Sequence, residues 1–215
     1  MRNRTARRAC VPVLLLLPIL LMSLACSSRP YGGVWREDFE DAGGWKLRSD
    51  AVADTVVVDG VLRIRVRSAG HLAWATSVQS WKDFELQVKA TQVEGPDDNE
   101  YGVLTRIQDD QDFYAFSISG DGYVRVARCR DGVWVPVGAD WVPSEAVHTG
   151  TATNVLTVRM RGTTLEFDVN GVQVARTTDA TFEDGYIGLY AGSFSQGDVA
   201  VTFDDLVVTP FPKGD

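Results

Sequence analysis

From residue 34 onward the sequence predicts an all-β domain, a sandwich of two antiparallel sheets, and three observations predict it. Apolar residues alternate with polar ones at a period of two through most of this span, so each strand has one dry face and one wet face. Asp59-Gly60, Asp121-Gly122, Asp131-Gly132 and Asn170-Gly171 each stand between strand-like runs, and such pairs tolerate the positive φ of tight hairpin turns. No stretch carries convincing amphipathic helical spacing, and many short strands without helices favour two packed sheets.

The strands can be justified in order. "FELQVKA" sets Phe84, Leu86 and Val88 against Glu85, Gln87 and Lys89. "DDQDFYAFSISGDGYVRV", residues 109–126, is an acidic turn, an aromatic strand, a Gly-Asp-Gly turn and a strand carrying Tyr123 and Arg125. "NVLTVRMRG" separates Leu156, Val158 and Met160 from Thr157, Arg159 and Arg161. "LEFDVNG" separates Leu165, Phe167 and Val169 from Glu166 and Asp168, and its turn predicts that Asn170→Gly is tolerated while Gly171→Val is not. Residues 139–154 lack alternation and read as a connection crossing between sheets. Trp35, Trp45, Phe84, Phe116, Phe167 and Phe203 have the phase of core residues.

Ahead of the domain, Arg2, Arg4, Arg7 and Arg8 precede an apolar run from Val11 to Leu24 that contains Pro12 and Pro18, the pattern of an export signal. The run ends in "MSLACSS", which resembles a bacterial lipoprotein signal with Cys26 as the lipidated first residue of the mature chain. Ser23 stands where such signals usually have leucine, and Ser23 with Ala25 also suits ordinary secretory cleavage. The expected organisation is a signal at 1–26, a tether at 27–33, the sandwich at 34–210 and a tail at 211–215. The expected location is the cell envelope, outside the cytoplasm, anchored by lipid, with free secretion as the alternative.

The whole chain has 21 basic and 29 acidic residues, a net charge of −8. Cleavage before Cys26 removes four arginines and no acid, which leaves 17 bases against 29 acids and a net charge of −12. So acidic a chain argues against nucleic acid and anionic lipid surfaces as partners, leaving the lipid anchor as the expected membrane contact. Of three cysteines, Cys10 leaves with the signal and Cys26 is acylated, so Cys129 has no partner for an intramolecular disulfide.

A succession of segments carries a family resemblance across nearly all of 34–209: "REDFED", "VDGVLRI", "DFELQVKA", "EYGVLTRIQDDQDFYAFSISGDG", "NVLTVRMRGTTLEFDVNGVQV", "FEDGYIGLYAG" and "VTFDDLVV". It resembles concanavalin A-like, or laminin G-like, jelly rolls, and most closely the bacterial surface-protein type related to the 3-keto-disaccharide hydrolase group. The resemblance implies a curved jelly roll whose concave face or rim loops often bind glycans. It also implies a structural Ca²⁺ where the first and last strands meet, with Asp38, Glu40 and Asp205 as the candidate ligands. These motifs specify fold better than function.

No catalytic residue is assigned. Laminarinase-like glucanases of this fold class place three carboxyl residues at alternate positions on one strand; Glu166 and Asp168 match two of them, but Asn170 fills the third and cannot donate a proton to a leaving oxygen. His71 and His148 are far apart and lack a metal-binding spacing. Asp109, Asp110 and Asp112 do not form a calcium loop, because Phe113 and Tyr114 fall on later ligand positions.

Arg106, Tyr123, Arg125 and Tyr190 are expected to share a wet strand face, where rings stack on sugar C–H surfaces and guanidinium groups bond hydroxyls. Trp74, Trp134 and Trp141 are candidates for its rim, and the expected ligand is a neutral or acidic cell-envelope or extracellular polysaccharide. Non-catalytic carbohydrate binding is the function this favours. The alternatives are a structural or protein-interaction lipoprotein, with a protein partner, and a hydrolase of the 3-keto-disaccharide type.

Overall fold

A computed structural model describes residues 33–212. The expected export signal, Cys26, the expected tether up to residue 32 and the last three residues of the expected tail lie outside the described residues.

Among the described residues sixteen strands follow one another: β1 (Trp35–Glu37), β2 (Trp45–Lys46), β3 (Ala53–Val58), β4 (Val61–Val66), β5 (Leu72–Trp81), β6 (Phe84–Glu94), β7 (Asn99–Ile107) and β8 (Phe113–Ile118). Then come β9 (Tyr123–Arg130), β10 (Val133–Pro136), β11 (Val142–Pro143), β12 (Thr153–Arg161), β13 (Thr164–Val169), β14 (Val172–Thr178), β15 (Gly185–Ser193) and β16 (Val199–Pro210). They form two antiparallel sheets. The first runs β14-β13-β12-β6-β16-β4-β3 with β1 added beside β16; the second runs β10-β9-β8-β7-β15-β5-β2 with β11 added beside β9. The stretch expected to cross between sheets does so, passing from β11 in the second sheet to β12 in the first, with Val142 and Pro143 paired to β9 on the way.

The alternation read from the sequence is what joins the sheets. Leu86, Val88, Leu156, Val158, Phe167, Val201 and Phe203 point inward from the first sheet, and Tyr101, Val103, Phe116, Ile118, Ile187 and Leu189 from the second. Phe116 meets Phe167 edge to face at 5.7 Å, across the gap between the sheets. At one end of the sandwich Trp35 lies 5.5 Å from Trp45 and 6.2 Å from Trp81, so all six rings expected in the core are buried.

The turns behave as their residues require. Asp59, Asp131 and Asn170 have φ of 52°, 51° and 52°, each followed by a positive-φ glycine, whereas at Asp121-Gly122 only the glycine is left-handed. Asn170 departs from expectation in one respect. Its side chain accepts from Val155 N at 2.8 Å and donates to Ala146 O and Asn154 Oδ1, both at 2.8 Å, thereby pinning the crossing segment to the hairpin. Glycine would keep the turn and lose all three bonds.

Asn170→Gly is therefore expected to lower unfolding free energy by about 1 to 3 kcal/mol. Gly171→Val, forced into φ of 80°, should cost at least about 1 to 2 kcal/mol. Urea denaturation checks both, and a parental midpoint for Asn170→Gly would mean the side-chain network contributes nothing.

Candidate functional site

The second sheet buries both its faces along the central strands. Every residue of β7 and β8 is buried, although only alternate ones face the other sheet. On the outer face, cross-strand register aligns Trp74, Tyr190, Gly102, Ser117 and Arg125 in one row, and Gly188, Leu104, Ala115 and Ala127 in the next. Gly102, Ser117, Gly188 and Ala115 are small, so large side chains from the flanking strands fold inward over them. Leu104, Ile107, Phe113, Ala115, Cys129 and Tyr190 form a second apolar cluster there, with Leu72, Trp74, Trp134 and Tyr186 packed against it.

A polar group set into this cluster must bring its own partner. Glu100 Oε2 receives Arg125 Nη2 at 2.9 Å and the Tyr190 hydroxyl at 3.3 Å, and that hydroxyl also bonds Ser117 Oγ. Burial pushes the Glu100 carboxyl above the usual carboxylate range, while the Arg125 charge and both hydrogen bonds pull against it. The Tyr190 hydroxyl, fully buried and beside that carboxylate, is raised well above a phenol's ordinary value.

Two of the four residues expected on a wet face thus need correction. Tyr190 does share a row with Arg125, but it is 1% exposed, because the row runs over Gly102 and Ser117 and lets its ring lie down. Arg106 leaves the face altogether. It adopts φ of 49° where β7 and β15 shift register, and its guanidinium caps one end of the sandwich, donating to Phe182 O at 2.8 Å, Gly162 O at 2.9 Å and Lys82 O at 3.2 Å. It ties together three loops and is closed to ligands. Tyr123 and Arg125 remain on the outer face, with Tyr123 37% exposed.

The tryptophans expected at the rim converge with them. Arg125 lies between two indoles, its Cζ 4.6 Å from the Trp141 centroid and 5.2 Å from that of Trp134. Outward from Trp141, Phe194 stands edge-on at 6.0 Å; from Trp134 the contacts continue to Phe113 at 5.3 Å, Trp74 at 6.1 Å from Phe113, and Arg48 at 5.7 Å from Trp74. The outcome is an unbroken strip of rings and guanidinium groups, with Trp74, Trp134, Trp141 and Phe194 each half-buried. Both guanidinium groups are paired, Arg125 with Glu100 and Arg48 with Asp110 at 2.9 Å. Beside the Trp141 end lies a depression of about 190 Å³ lined by Tyr123, Trp141, Phe194, Asp98, Ser119 and Asp121.

Phe194, Asp98 and Glu100 did not figure in the sequence reading. Phe194 had a signal, since it is the lone large apolar residue in "GSFSQGD", where turn residues offer no core for a ring to enter.

The carboxylate ladder of "LEFDVNG" belongs to the other sheet. Glu166 pairs with Arg176 at 3.1 Å and Asp168 with Arg159 at 2.7 Å on its outer face. Two of the expected calcium ligands, Asp38 and Asp205, belong to the same sheet's surroundings. β1 does pair with β16, and Asp38 and Asp205 line one depression, but Arg36 and Lys89 line it too, and Lys89 Nζ sits 2.5 Å from Asp205 Oδ2. Among the described residues no three acidic, histidine or cysteine side chains are grouped to hold a metal. Asp38, Glu40 and Asp205 therefore do not fit a calcium ion: Glu40 does not line that depression, and the Lys89 ammonium already neutralises Asp205.

The family model of the 3-keto-alpha-glucoside-1,2-lyase-like domain matches residues 34–209. The chain belongs to that family. Its lyase-like domain shares the concanavalin A-like jelly-roll fold with solved structures of low sequence identity. A carbohydrate-binding module, CBM66 from Bacillus subtilis, aligns at 16% identity over 77% of this chain and 95% of its own, with a TM-score of 0.61. The Bacillus licheniformis beta-glucanase aligns at 14% identity over 85% and 100%, with a TM-score of 0.60. A Bacillus subtilis protein of unknown function with a galectin-like fold aligns at 12% identity over 83% and 96%, with a TM-score of 0.59. A search of curated proteins finds no match.

Arg106→Met should lower unfolding free energy by about 2 to 4 kcal/mol, since several buried carbonyl groups lose their donor together. A parental denaturation midpoint would remove Arg106 from its structural role.

Proposed function

We propose that this protein is an exported, lipid-anchored carbohydrate-binding module that holds a polysaccharide chain along the strip from Phe194 through Trp141 and Trp134 to Trp74, without altering it chemically. The strip itself carries the reading. Half-buried rings held in place by their neighbours present fixed apolar faces, and stacking on such faces costs little conformational entropy. The guanidinium of Arg125, clamped by Glu100 and two indoles, keeps Trp134 and Trp141 at a set spacing.

Turnover is a poor match to the same face. Glu100 is a buried carboxyl on this face, and the Arg125 charge is paired with it at 2.9 Å. A lyase-like reaction remains the second reading, favoured by the family and by the raised pKa of Glu100 beside the Tyr190 hydroxyl. It needs Arg125 to swing away when substrate arrives.

Affinity electrophoresis against a panel of soluble polysaccharides tests the first reading. Trp134→Ala and Trp141→Ala should each weaken retention by about 1 kcal/mol, roughly fivefold, at a parental melting temperature. The polysaccharide should be recovered at its original length. Unchanged retention in both variants sinks the platform, and shortened or unsaturated products establish the second reading.

The anchor is tested separately. The membrane-fraction protein should begin at Cys26 and carry added acyl mass. A mature chain starting at Cys26 with no such mass, or cleaved elsewhere, contradicts the anchor and leaves the domain's binding role untouched.

A further inference from the structure

The depression at the Phe194 end of the strip differs in charge from what an acidic or purely neutral sugar chain requires. Three rings line it, from Tyr123, Trp141 and Phe194, and two exposed carboxylates flank them, from Asp98 and Asp121. Asp121 accepts a bond from Ser119 Oγ, and among the described residues Asp98 makes no ion pair. Arg125, which lies 4.6 Å from the Trp141 ring centroid, is already matched twice, by Glu100 at 2.9 Å and by Asp140 at 3.9 Å. The local field is therefore negative, and it acts where aromatic faces, whose quadrupoles also favour cations, form the walls. At about 190 Å³ the space is smaller than the roughly 300 to 1,000 Å³ that engulfs a whole small molecule, which suits one unit of a chain lying against the surface.

From this geometry we infer that the sugar unit seated against Tyr123, Trp141 and Phe194 bears a protonated amino group, and that the ligand is a glycan containing de-N-acetylated hexosamine. The inference rests on the strip being a glycan platform and adds the chemical class of what it holds. The amine lies toward Asp98 and Asp121 while the sugar's C–H face stacks on a ring. A uronic acid at the same place meets two like charges. An N-acetylated unit brings no charge to offset the carboxylates.

Three β-1,4-linked hexamers separate the possibilities by isothermal titration calorimetry on the intact protein: the glucosamine hexamer, its fully N-acetylated counterpart and the glucose hexamer. The glucosamine hexamer should bind on the order of tenfold more tightly than either, the size expected from two partly exposed ion pairs. Asp98→Asn with Asp121→Asn should remove that preference and leave the weaker binding of the other two intact. The matched control, Asp59→Asn with Asp204→Asn, alters the same net charge at positions remote in sequence and should leave the preference unchanged. Equal affinity for all three hexamers, or a preference that survives loss of Asp98 and Asp121 or falls equally in the control, overturns the inference. Equal affinities that are still weakened by Trp141→Ala overturn the inference and leave the platform standing; no binding of any hexamer likewise overturns the inference, and the platform is then judged by polysaccharide retention in the two tryptophan variants.

Discussion

Burial of both faces of β7, β8 and β15 is the constraint on which the rest of the second sheet depends. One face packs against the opposing sheet, as in any sandwich, and the other packs beneath its own side chains. The buried polar groups Glu100, Arg125, Tyr190 and Ser117 on that outer face are consequently joined in one network. What is left for a ligand is the upper surface of the covering side chains, and those are aromatic.

This arrangement leaves the outer face of the second sheet filled rather than open. Small residues at Gly102, Ser117, Ala115 and Gly188 leave room on the sheet, and that room is filled from within by Tyr190, Phe113 and Leu104. Gly102 cannot be enlarged, since a Cβ there would lie 2.1 Å from Phe116 O. Opening the floor requires Arg125 to leave Glu100 unpaired in a buried setting, which is costly, so the closed form is the stable one.

Most of the fold was legible because alternation and turn chemistry are local. "FELQVKA", "NVLTVRMRG" and the three left-handed Asp-Gly and Asn-Gly turns each report their own conformation, and the core phase of Phe116 and Phe167 follows from it. The site was legible only in part. Phase correctly placed Arg125 and Tyr190 on one face, but it carries no information about what lies over that face, so a buried phenol read as an exposed one. Arg106 was misplaced for another reason: alternation assumes a regular strand, and a left-handed arginine at a register shift breaks that assumption. Trp74, Trp134 and Trp141 were recognisable as outside the core, whereas their joining into a strip depends on pairings between strands distant in sequence. Asn170 showed its turn and concealed its side-chain bonds, which reach back to Ala146 and Asn154.

The six tryptophans divide the molecule in a way that one measurement can read. Trp35, Trp45 and Trp81 sit in the core, and Trp74, Trp134 and Trp141 on the strip. Each indole N–H gives its own resonance in a nitrogen-labelled sample, titrated with oligosaccharides cut from whichever polysaccharide the protein retains. The account predicts that the resonances of Trp134 and Trp141 move together with sugar concentration while those of Trp35, Trp45 and Trp81 stay fixed. Movement confined to the core indoles, or to backbone amides of β12, β13 and β14 on the opposite sheet, would contradict it.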